Sequence, residues 1–141
     1  PTLIALHGGL GAGKTSFARS LIRALTKDET LEVPSPTYTL VQTYETNLSL
    51  PRKRESCNTP KDHRFHGEDK FVIYHFDLYR LKDPEELFAL DWDDAIADGL
   101  CLIEWPDKAG AYLPEKRIDI EIRTSDNDDT QRHLSIKDKR T

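Results

Sequence analysis

The sequence predicts a three-layer α/β domain with a mainly parallel sheet and an antiparallel C-terminal hairpin. Three observations support this prediction. Short apolar segments of strand length recur along the chain, a glycine-rich loop joins the first of them to an amphipathic helix, and the last segments alternate between apolar and polar residues. Strands and helices that follow one another in this way are typical of a sheet covered by helices on both faces.

The chain begins with a predicted strand, loop and helix. Thr2–His7 is short and apolar, which predicts a buried strand, and residues 8–13 form a glycine-rich loop. After the loop, apolar residues recur every four positions at Phe17, Leu21 and Leu25. This period predicts an amphipathic helix of about three to four turns.

The middle of the chain predicts two strands and two short helices. Two prolines end the first helix, and residues 37–44 are rich in Thr, Tyr and Val, which favours a strand. Residues 71–76 predict a second buried strand that ends at Asp77. Helix starts are predicted at residues 83–86, where an aspartate cap precedes a proline and two acids, and at residues 91–94.

The remaining segments complete the sheet. Gly99 closes the second short helix, and residues 100–103 predict a third buried strand that ends at Glu104. Residues 117–124 alternate isoleucines with polar residues, and residues 131–137 follow a turn. This pattern predicts a hairpin of two antiparallel strands.

Composition limits the class of protein. The 141 residues, 37% of them hydrophobic, suffice for one core, so we expect one domain over residues 1–141. The longest apolar runs, residues 3–6 and 100–103, fall far short of the ~20 residues that a membrane span needs. A net charge of −5 argues against general coating of RNA or DNA, so we expect neither a membrane nor DNA as a partner. The two cysteines have no metal or disulfide spacing, which is compatible with a reducing cytoplasm.

The motif with the clearest chemistry is the glycine-rich loop. Residues 8–15 read Gly-Gly-Leu-Gly-Ala-Gly-Lys-Thr and match in full the pattern G-x-x-x-x-G-K-[ST] of P-loop NTPases. Such a loop turns several backbone N–H groups toward a phosphate, and the following helix directs its positive end at the same anion. Lys14 then supplies an ammonium to the β- and γ-phosphates, and Thr15 supplies a hydroxyl to Mg²⁺. The predicted phosphate-binding residues are Gly8, Gly9, Gly11, Ala12, Gly13, Lys14, Thr15 and Ser16.

Two acidic residues end predicted strands close to this loop. Asp77 and Glu104 each follow a buried strand, and ligands of open α/β sheets bind at the carboxyl ends of the strands. We therefore expect both carboxylates near the phosphates. Spacing alone leaves open which of them holds Mg²⁺ and which orients the attacking water.

Four stretches of the sequence resemble the TsaE family, the small P-loop ATPases of bacterial tRNA threonylcarbamoyladenosine synthesis. They are residues 7–16, 35–41, 74–87 and 102–106, in the family's order. The resemblance implies that residues 11–16 bind the phosphates of ATP or ADP and that Thr15 and Glu104 hold Mg²⁺. It also implies that Asp77 is needed for hydrolysis. Thr37, in a switch-like Ser-Pro-Thr segment, would then contact the γ-phosphate, and Trp105 would pack beside the metal-binding acid.

The resemblance also implies partners and a cellular role. Family members act with the TsaD and TsaB proteins, which modify an adenosine beside the tRNA anticodon, so tRNA is an indirect partner. ATP hydrolysis is expected to reset that complex, with Lys14, Asp77, Glu104 and Thr37 as the catalytic residues. The sequence presents no evident arginine finger, so we expect slow turnover by the chain alone.

The sequence departs from the family pattern in two places. The usual segment before the first strand is absent, and Pro1 opens almost directly into that strand, so we expect a native segment to precede it. Residues 45–70 form a longer loop than expected, and residues 52–64 carry a net charge of +3. This insertion is either a contact for tRNA or a partner, or a solvated loop.

Other candidate residues have weaker patterns. His75 shares a strand face with Asp77 and either points to the site or packs in the core, and Arg132 is a candidate contact for a phosphate or base. Cys57, His63 and His66 offer three loosely spaced ligands where a zinc site needs about four.

Two alternative functions remain open on the sequence. One is a small-molecule kinase, and the other is a binding module that nucleotide switches without meaningful turnover. A GTPase is disfavoured because no Asn-Lys-x-Asp motif is present.

Overall fold

A six-stranded sheet organises the molecule, which is described here by a computed structural model over residues 2–46 and 71–141. The strand order across the sheet is β2-β3-β4-β1-β5-β6. The strands are β1 Thr2–His7, β2 Val41–Thr46, β3 Phe71–Asp77, β4 Leu100–Glu104, β5 Ile118–Thr124 and β6 Arg132–Asp138. The helices are α1 Lys14–Thr26 and α2 Trp92–Asp98, with 3₁₀ helices at Pro84–Leu90 and Pro106–Tyr112.

The four inner strands are parallel and the two edge strands are antiparallel. β1 lies between β4 and β5, and β3 pairs with β4 in a register that sets Asp77 beside Glu104. β2 and β6 run antiparallel to β3 and β5. The predicted fold class, a mainly parallel sheet with an antiparallel C-terminal hairpin, is therefore confirmed, and β2 adds a second antiparallel edge.

Alternate residues of the strands fill a core on each face of the sheet. On one face, Ala18 and Ile22 of α1 are fully buried against a layer that includes Leu6 and Leu102. On the other face, Trp92 of α2 packs edge-on to a strand phenylalanine at 5.1 Å. Because helices cover both faces, the structure has the three layers that the sequence predicts.

The helix ends follow the predicted signals with one difference. The Asp83 side chain accepts a hydrogen bond from the Glu85 backbone, and Glu86 completes a capping box. The helix that follows is a 3₁₀ helix of seven residues. α2 ends where the Gly99 N–H donates to the Ala95 carbonyl at 2.9 Å, as expected.

The prediction of a strand over residues 37–44 is wrong at its start. Residues 37–40 form a turn, closed by a 2.7 Å hydrogen bond from the Leu40 N–H to the Pro36 carbonyl. Leu40 has a left-handed backbone (φ 68°), so the extended strand begins only at Val41. The β-branched composition favoured a strand locally, but hydrogen bonding to the end of β3 bends this segment toward the cleft.

Part of the predicted insertion falls within β2. Residues 45 and 46 are strand residues that pair with β3, so the loop predicted over residues 45–70 starts later than expected. Residues 47–70, including the basic segment 52–64, Cys57, His63 and His66, lie outside the described residues. None of the helices within the described ranges is long and apolar enough to cross a membrane.

Candidate functional site

The loop between β1 and α1 has a backbone that requires glycine. Gly8 has φ +155°, and a Cβ there would lie 2.7 Å from the Ile122 carbonyl oxygen. Gly13 has φ +108° and starts α1, whose first hydrogen bond runs from the Phe17 N–H to the Gly13 carbonyl at 2.9 Å. The loop thus closes tightly and directs the amino end of α1 into the space above the sheet.

Lys14 lies almost fully buried beneath the loop. Its Nζ donates to the carbonyls of Gly8 and Gly9, both at 2.7 Å, and lies 4.0 Å from the centroid of the Trp105 ring. Burial lowers the pKa of the Lys14 ammonium, while the carboxylates of Glu104 and Asp77 oppose that shift. The ammonium is therefore held by two backbone carbonyls and an aromatic face, in the electrostatic field of two acids.

Glu104 joins the first turn of α1 to the interior of the sheet. The Thr15 hydroxyl donates to Glu104 Oε1 at 2.7 Å. The second carboxylate oxygen, Oε2, lies 2.7 Å from Nε2 of His75, whose side chain is fully buried. Each oxygen of this buried acid thus has its own partner, which fixes the plane of the carboxylate.

Asp77 anchors the segment that precedes β2. Its Oδ2 accepts hydrogen bonds from the hydroxyls of Thr37 at 3.1 Å and Ser35 at 3.3 Å. Its backbone N–H donates to the Leu40 carbonyl at 2.9 Å. The end of β3 therefore positions two hydroxyls beside the glycine-rich loop, although they lie 42 and 40 residues from Asp77 in the sequence.

These groups meet in a cleft of about 360 Å³. Most of the predicted site residues line it, namely Gly11, Ala12, Gly13, Lys14, Thr15, Ser16, Thr37, Asp77 and Glu104. Gly8 and Gly9 do not line the cleft and instead bind Lys14 through their carbonyls. Leu10, Ser35, Tyr79 and Trp105 complete the wall.

Sequence reasoning did not identify Tyr79 as part of the wall. Its backbone N–H donates to Asp77 Oδ1 at 3.1 Å, and its ring lies 5.1 Å from that of Trp105. The sequence does contain a signal for Tyr79: an aspartate that ends a strand commonly accepts a hydrogen bond from the N–H two residues later.

The two weaker candidates have defined positions. His75 reaches the site through its contact with Glu104, and its side chain is also buried in the core. Both interpretations of its position on the strand, pointing to the site and packing in the core, therefore hold. The Arg132 guanidinium donates through Nε to the Ala12 carbonyl at 2.9 Å. It therefore contacts the backbone of the phosphate loop from the C-terminal hairpin.

The residues present suit Mg²⁺. Among residues 2–46 and 71–141, no three His, Cys, Asp or Glu side chains converge as a metal site. Mg²⁺ usually keeps several waters and takes one or two protein oxygens together with phosphates, so it needs no such cluster. The 2.7 Å between Thr15 Oγ1 and Glu104 Oε1 is close to the ~2.9 Å between adjacent ligands of an octahedral Mg²⁺ site.

The fold and the cleft define a P-loop α/β protein. Residues 1–54 and 58–134 match the family model described as "Threonylcarbamoyl adenosine biosynthesis protein TsaE". A Rickettsia bellii protein named "tRNA threonylcarbamoyladenosine biosynthesis protein TsaE" is 35% identical over 89% of this chain and 72% of its own length. A Haemophilus influenzae protein of the same name is 39% identical over 85% of this chain and 61% of its own length.

A solved structure agrees with these relatives. The crystal structure of YdiB from Bacillus subtilis superposes with a TM-score of 0.59 at 25% identity, covering 98% of this chain and 68% of that one. The chain belongs to the TsaE family, as its four resembling stretches indicate. It spans roughly three fifths to three quarters of the length of the two curated relatives.

Proposed function

We propose that the chain binds Mg·ATP in the cleft and hydrolyses it in the service of tRNA threonylcarbamoyladenosine synthesis. The observation that carries the proposal is the contact between Thr15 and Glu104 in the cleft that Lys14 also lines. A hydroxyl, a carboxylate and an ammonium at the amino end of a helix are the groups that P-loop proteins direct at a triphosphate and its metal.

Phosphate binding would depend on the loop backbone and on Lys14. Residues 11–16 line a cleft at the positive end of α1, which favours an anion. The Lys14 ammonium would exchange its contacts with Gly8 and Gly9 for the β- and γ-phosphates. Because the Lys14 side chain is buried, its charge would stabilise the transition state more than an exposed lysine would.

Metal binding falls to Thr15 and Glu104 in this proposal. Glu104 is preferred to Asp77 as the metal-binding acid because it is the one that contacts Thr15. Bound there, Mg²⁺ would neutralise charge that develops on the phosphate oxygens. Asp77 instead holds the hydroxyl of Thr37 at 3.1 Å, so this pair is suited to orienting the attacking water.

The partners proposed are TsaD and TsaB, and contact with tRNA is indirect, through their complex in the cytoplasm. No arginine lines the cleft among the residues that the structure describes. We therefore expect slow hydrolysis by the chain alone and faster hydrolysis when a partner completes the site.

The direct test is a titration with Mg·ATP in which binding is monitored by tryptophan fluorescence. Of the two tryptophans, Trp105 lines the cleft and contacts Lys14, whereas Trp92 is buried and does not line the cleft. The signal should therefore survive Trp92→Phe and vanish in Trp105→Phe. Lys14→Ala should abolish tight binding, and Lys116→Ala, which removes an exposed lysine, should not. Undiminished ATP binding by Lys14→Ala would contradict the proposal.

A second experiment separates hydrolysis from simple switching. The rate of phosphate release is measured with and without TsaD and TsaB for the native chain and for Glu104→Ala. Partner-stimulated release that requires Glu104 supports an ATPase. Partner binding that differs between ADP and a non-hydrolysable ATP analogue, without measurable release, would support a nucleotide-switched binding module instead.

A further inference from the structure

His75 is a buried polar residue to which the proposed hydrolysis assigns no role. Its side chain is fully buried in β3, two residues before Asp77 and on the same face of the sheet. In the register of β3 and β4, His75 lies opposite Leu102, which brings its ring diagonally beneath Glu104. Nε2 of His75 is 2.7 Å from Glu104 Oε2.

The environment of the ring indicates that this contact is the reason for a histidine here. A carboxylate can only accept hydrogen bonds, so Nε2 must carry a proton. The other ring nitrogen, Nδ1, is buried and has no hydrogen-bond partner among the described residues. A buried polar atom without a hydrogen-bond partner destabilises the fold, and an apolar side chain of similar size would fill the same space without it. Packing alone therefore does not explain why this residue is a histidine.

The two oxygens of Glu104 have different surroundings. Oε1 faces the cleft and meets the Thr15 hydroxyl, whereas Oε2 faces the sheet and meets His75. With Oε2 held inside, only Oε1 remains available to a cation in the cleft. Mg²⁺ requires near-ideal octahedral geometry and is suited by one oxygen from a carboxylate, whereas Ca²⁺ readily takes both.

We infer that His75 is a positioning residue that holds Glu104 in a one-oxygen binding mode selective for Mg²⁺. This inference rests on the proposed function, in which Glu104 is a metal ligand. The ring acts from behind the carboxylate and touches neither nucleotide nor metal. Partners that orient a metal ligand in this way typically account for roughly 10–100-fold in metal affinity.

The test measures how strongly each cation tightens ATP binding. For each variant, the dissociation constant of ATP is determined in EDTA, in saturating Mg²⁺ and in saturating Ca²⁺, and the two ratios to the EDTA value are compared. His75→Gln keeps an N–H at the reach of Nε2, His75→Asn is one methylene shorter, and His75→Leu has no donor. His133→Asn is the control, because His133 is exposed on β6.

The expected result is specific to Mg²⁺. His75→Asn and His75→Leu should lose most of the tightening by Mg²⁺ and less of the tightening by Ca²⁺, with the EDTA value unchanged. His75→Gln and His133→Asn should behave like the native chain. The Asn and Gln pair keeps the comparison valid if His75→Leu does not fold, as judged by circular dichroism.

Three results would overturn the inference. The first is that Mg²⁺ tightens ATP binding in His75→Asn and His75→Leu as much as in the native chain. The second is that His75→Gln loses as much of this tightening as His75→Asn does. The third is that ATP binding weakens equally in all conditions, including EDTA. If the response requires Glu104 but not His75, the inference alone fails. If the native chain shows no response to Mg²⁺, or Glu104→Ala retains it, the metal site of the proposed function fails as well.

Discussion

Gly8 is the residue of the phosphate loop where a side chain has the least room. A methyl group there would meet the Ile122 carbonyl at 2.7 Å, in a backbone conformation with φ +155°. Gly8→Ala should therefore lower the free energy of unfolding by about 1–3 kcal/mol and weaken ATP binding. Urea unfolding and the fluorescence titration measure the two effects.

The neighbouring glycine supplies the matched control. A methyl group on Gly9 would meet nothing within 4 Å, and Gly9→Ala keeps the carbonyl that binds Lys14. This variant should match the native chain in stability and affinity. Equal damage by both substitutions would show that the contact with Ile122 is not the cause.

Asp119 makes the stability of the chain depend on pH. Burial would raise the pKa of Asp119, but hydrogen bonds from Lys139, His7 and Arg117 outweigh it and hold the pKa well below its ordinary value. A carboxyl with a depressed pKa in the folded state stabilises the fold above its unfolded pKa of ~3.9, and this contribution is lost as the pH falls toward the folded value.

Replacement of this acid gives the corresponding test. Asp119→Asn should reduce the free energy of unfolding by roughly 1–2 kcal/mol at pH 7. The difference in the free energy of unfolding between this variant and the native chain should become smaller as the pH is lowered from about 5 to 3. Asp126→Asn, at an exposed turn, should show no such difference at pH 7. A gap for Asp119→Asn that stays constant over this range would contradict the assignment.

At the scale of elements, the turn over residues 37–40 connects β2 to the site. The Thr37 hydroxyl reaches Asp77 because the Leu40 carbonyl is held by the Asp77 N–H. Thr37→Val removes the hydroxyl and keeps the shape, so hydrolysis should fall by at least ~10-fold with little change in ATP affinity. Phosphate release and the fluorescence titration separate these two effects.

Serine at the same position restores the hydroxyl. Thr37→Ser should retain most of the activity, since the 3.1 Å contact needs only an O–H donor. If the Val and Ser variants lost activity equally, the methyl group rather than the hydrogen bond would be the feature that matters.

At the scale of the whole molecule, the cleft joins segments that are distant in the chain. Its wall consists of residues from the first loop, from the segment before β2 and from the ends of β3 and β4. Arg132 of β6 lies outside the wall and binds the backbone of the first loop. A ligand that binds only this assembled state stabilises the entire fold, by about 2.7 kcal/mol at 100 times its dissociation constant.

Thermal unfolding measures how much ligand binding stabilises the fold. Saturating Mg·ATP should raise the Tm of the native chain by roughly 5–10 °C. Lys14→Ala should show almost no rise, whereas Lys116→Ala should respond fully. A rise of equal size in Lys14→Ala would mean that ATP stabilises the chain from somewhere other than this cleft.

Local patterns predicted much of the fold. β1 and the start of α1 follow directly from an apolar run, a glycine-rich loop and a four-residue period, and the capping residues of residues 83–86 act as expected. The turn over residues 37–40 was not predicted, because its conformation depends on a hydrogen bond to the end of β3. Propensity describes a residue and its neighbours in sequence, and it carries no information about the contact between Leu40 and Asp77, which lie far apart in the chain.

The order of residues along the chain was enough to predict the glycine-rich loop and the helix after it, because the motif lies within eight consecutive positions and depends on backbone freedom. Only the tertiary structure decided between Asp77 and Glu104 as the acid that contacts Thr15, and only it gave His75 a partner. Both outcomes depend on strand register, which brings side chains from β3, β4 and α1 to within 3 Å of one another. Register is settled by the packing of the whole sheet and not by any one strand.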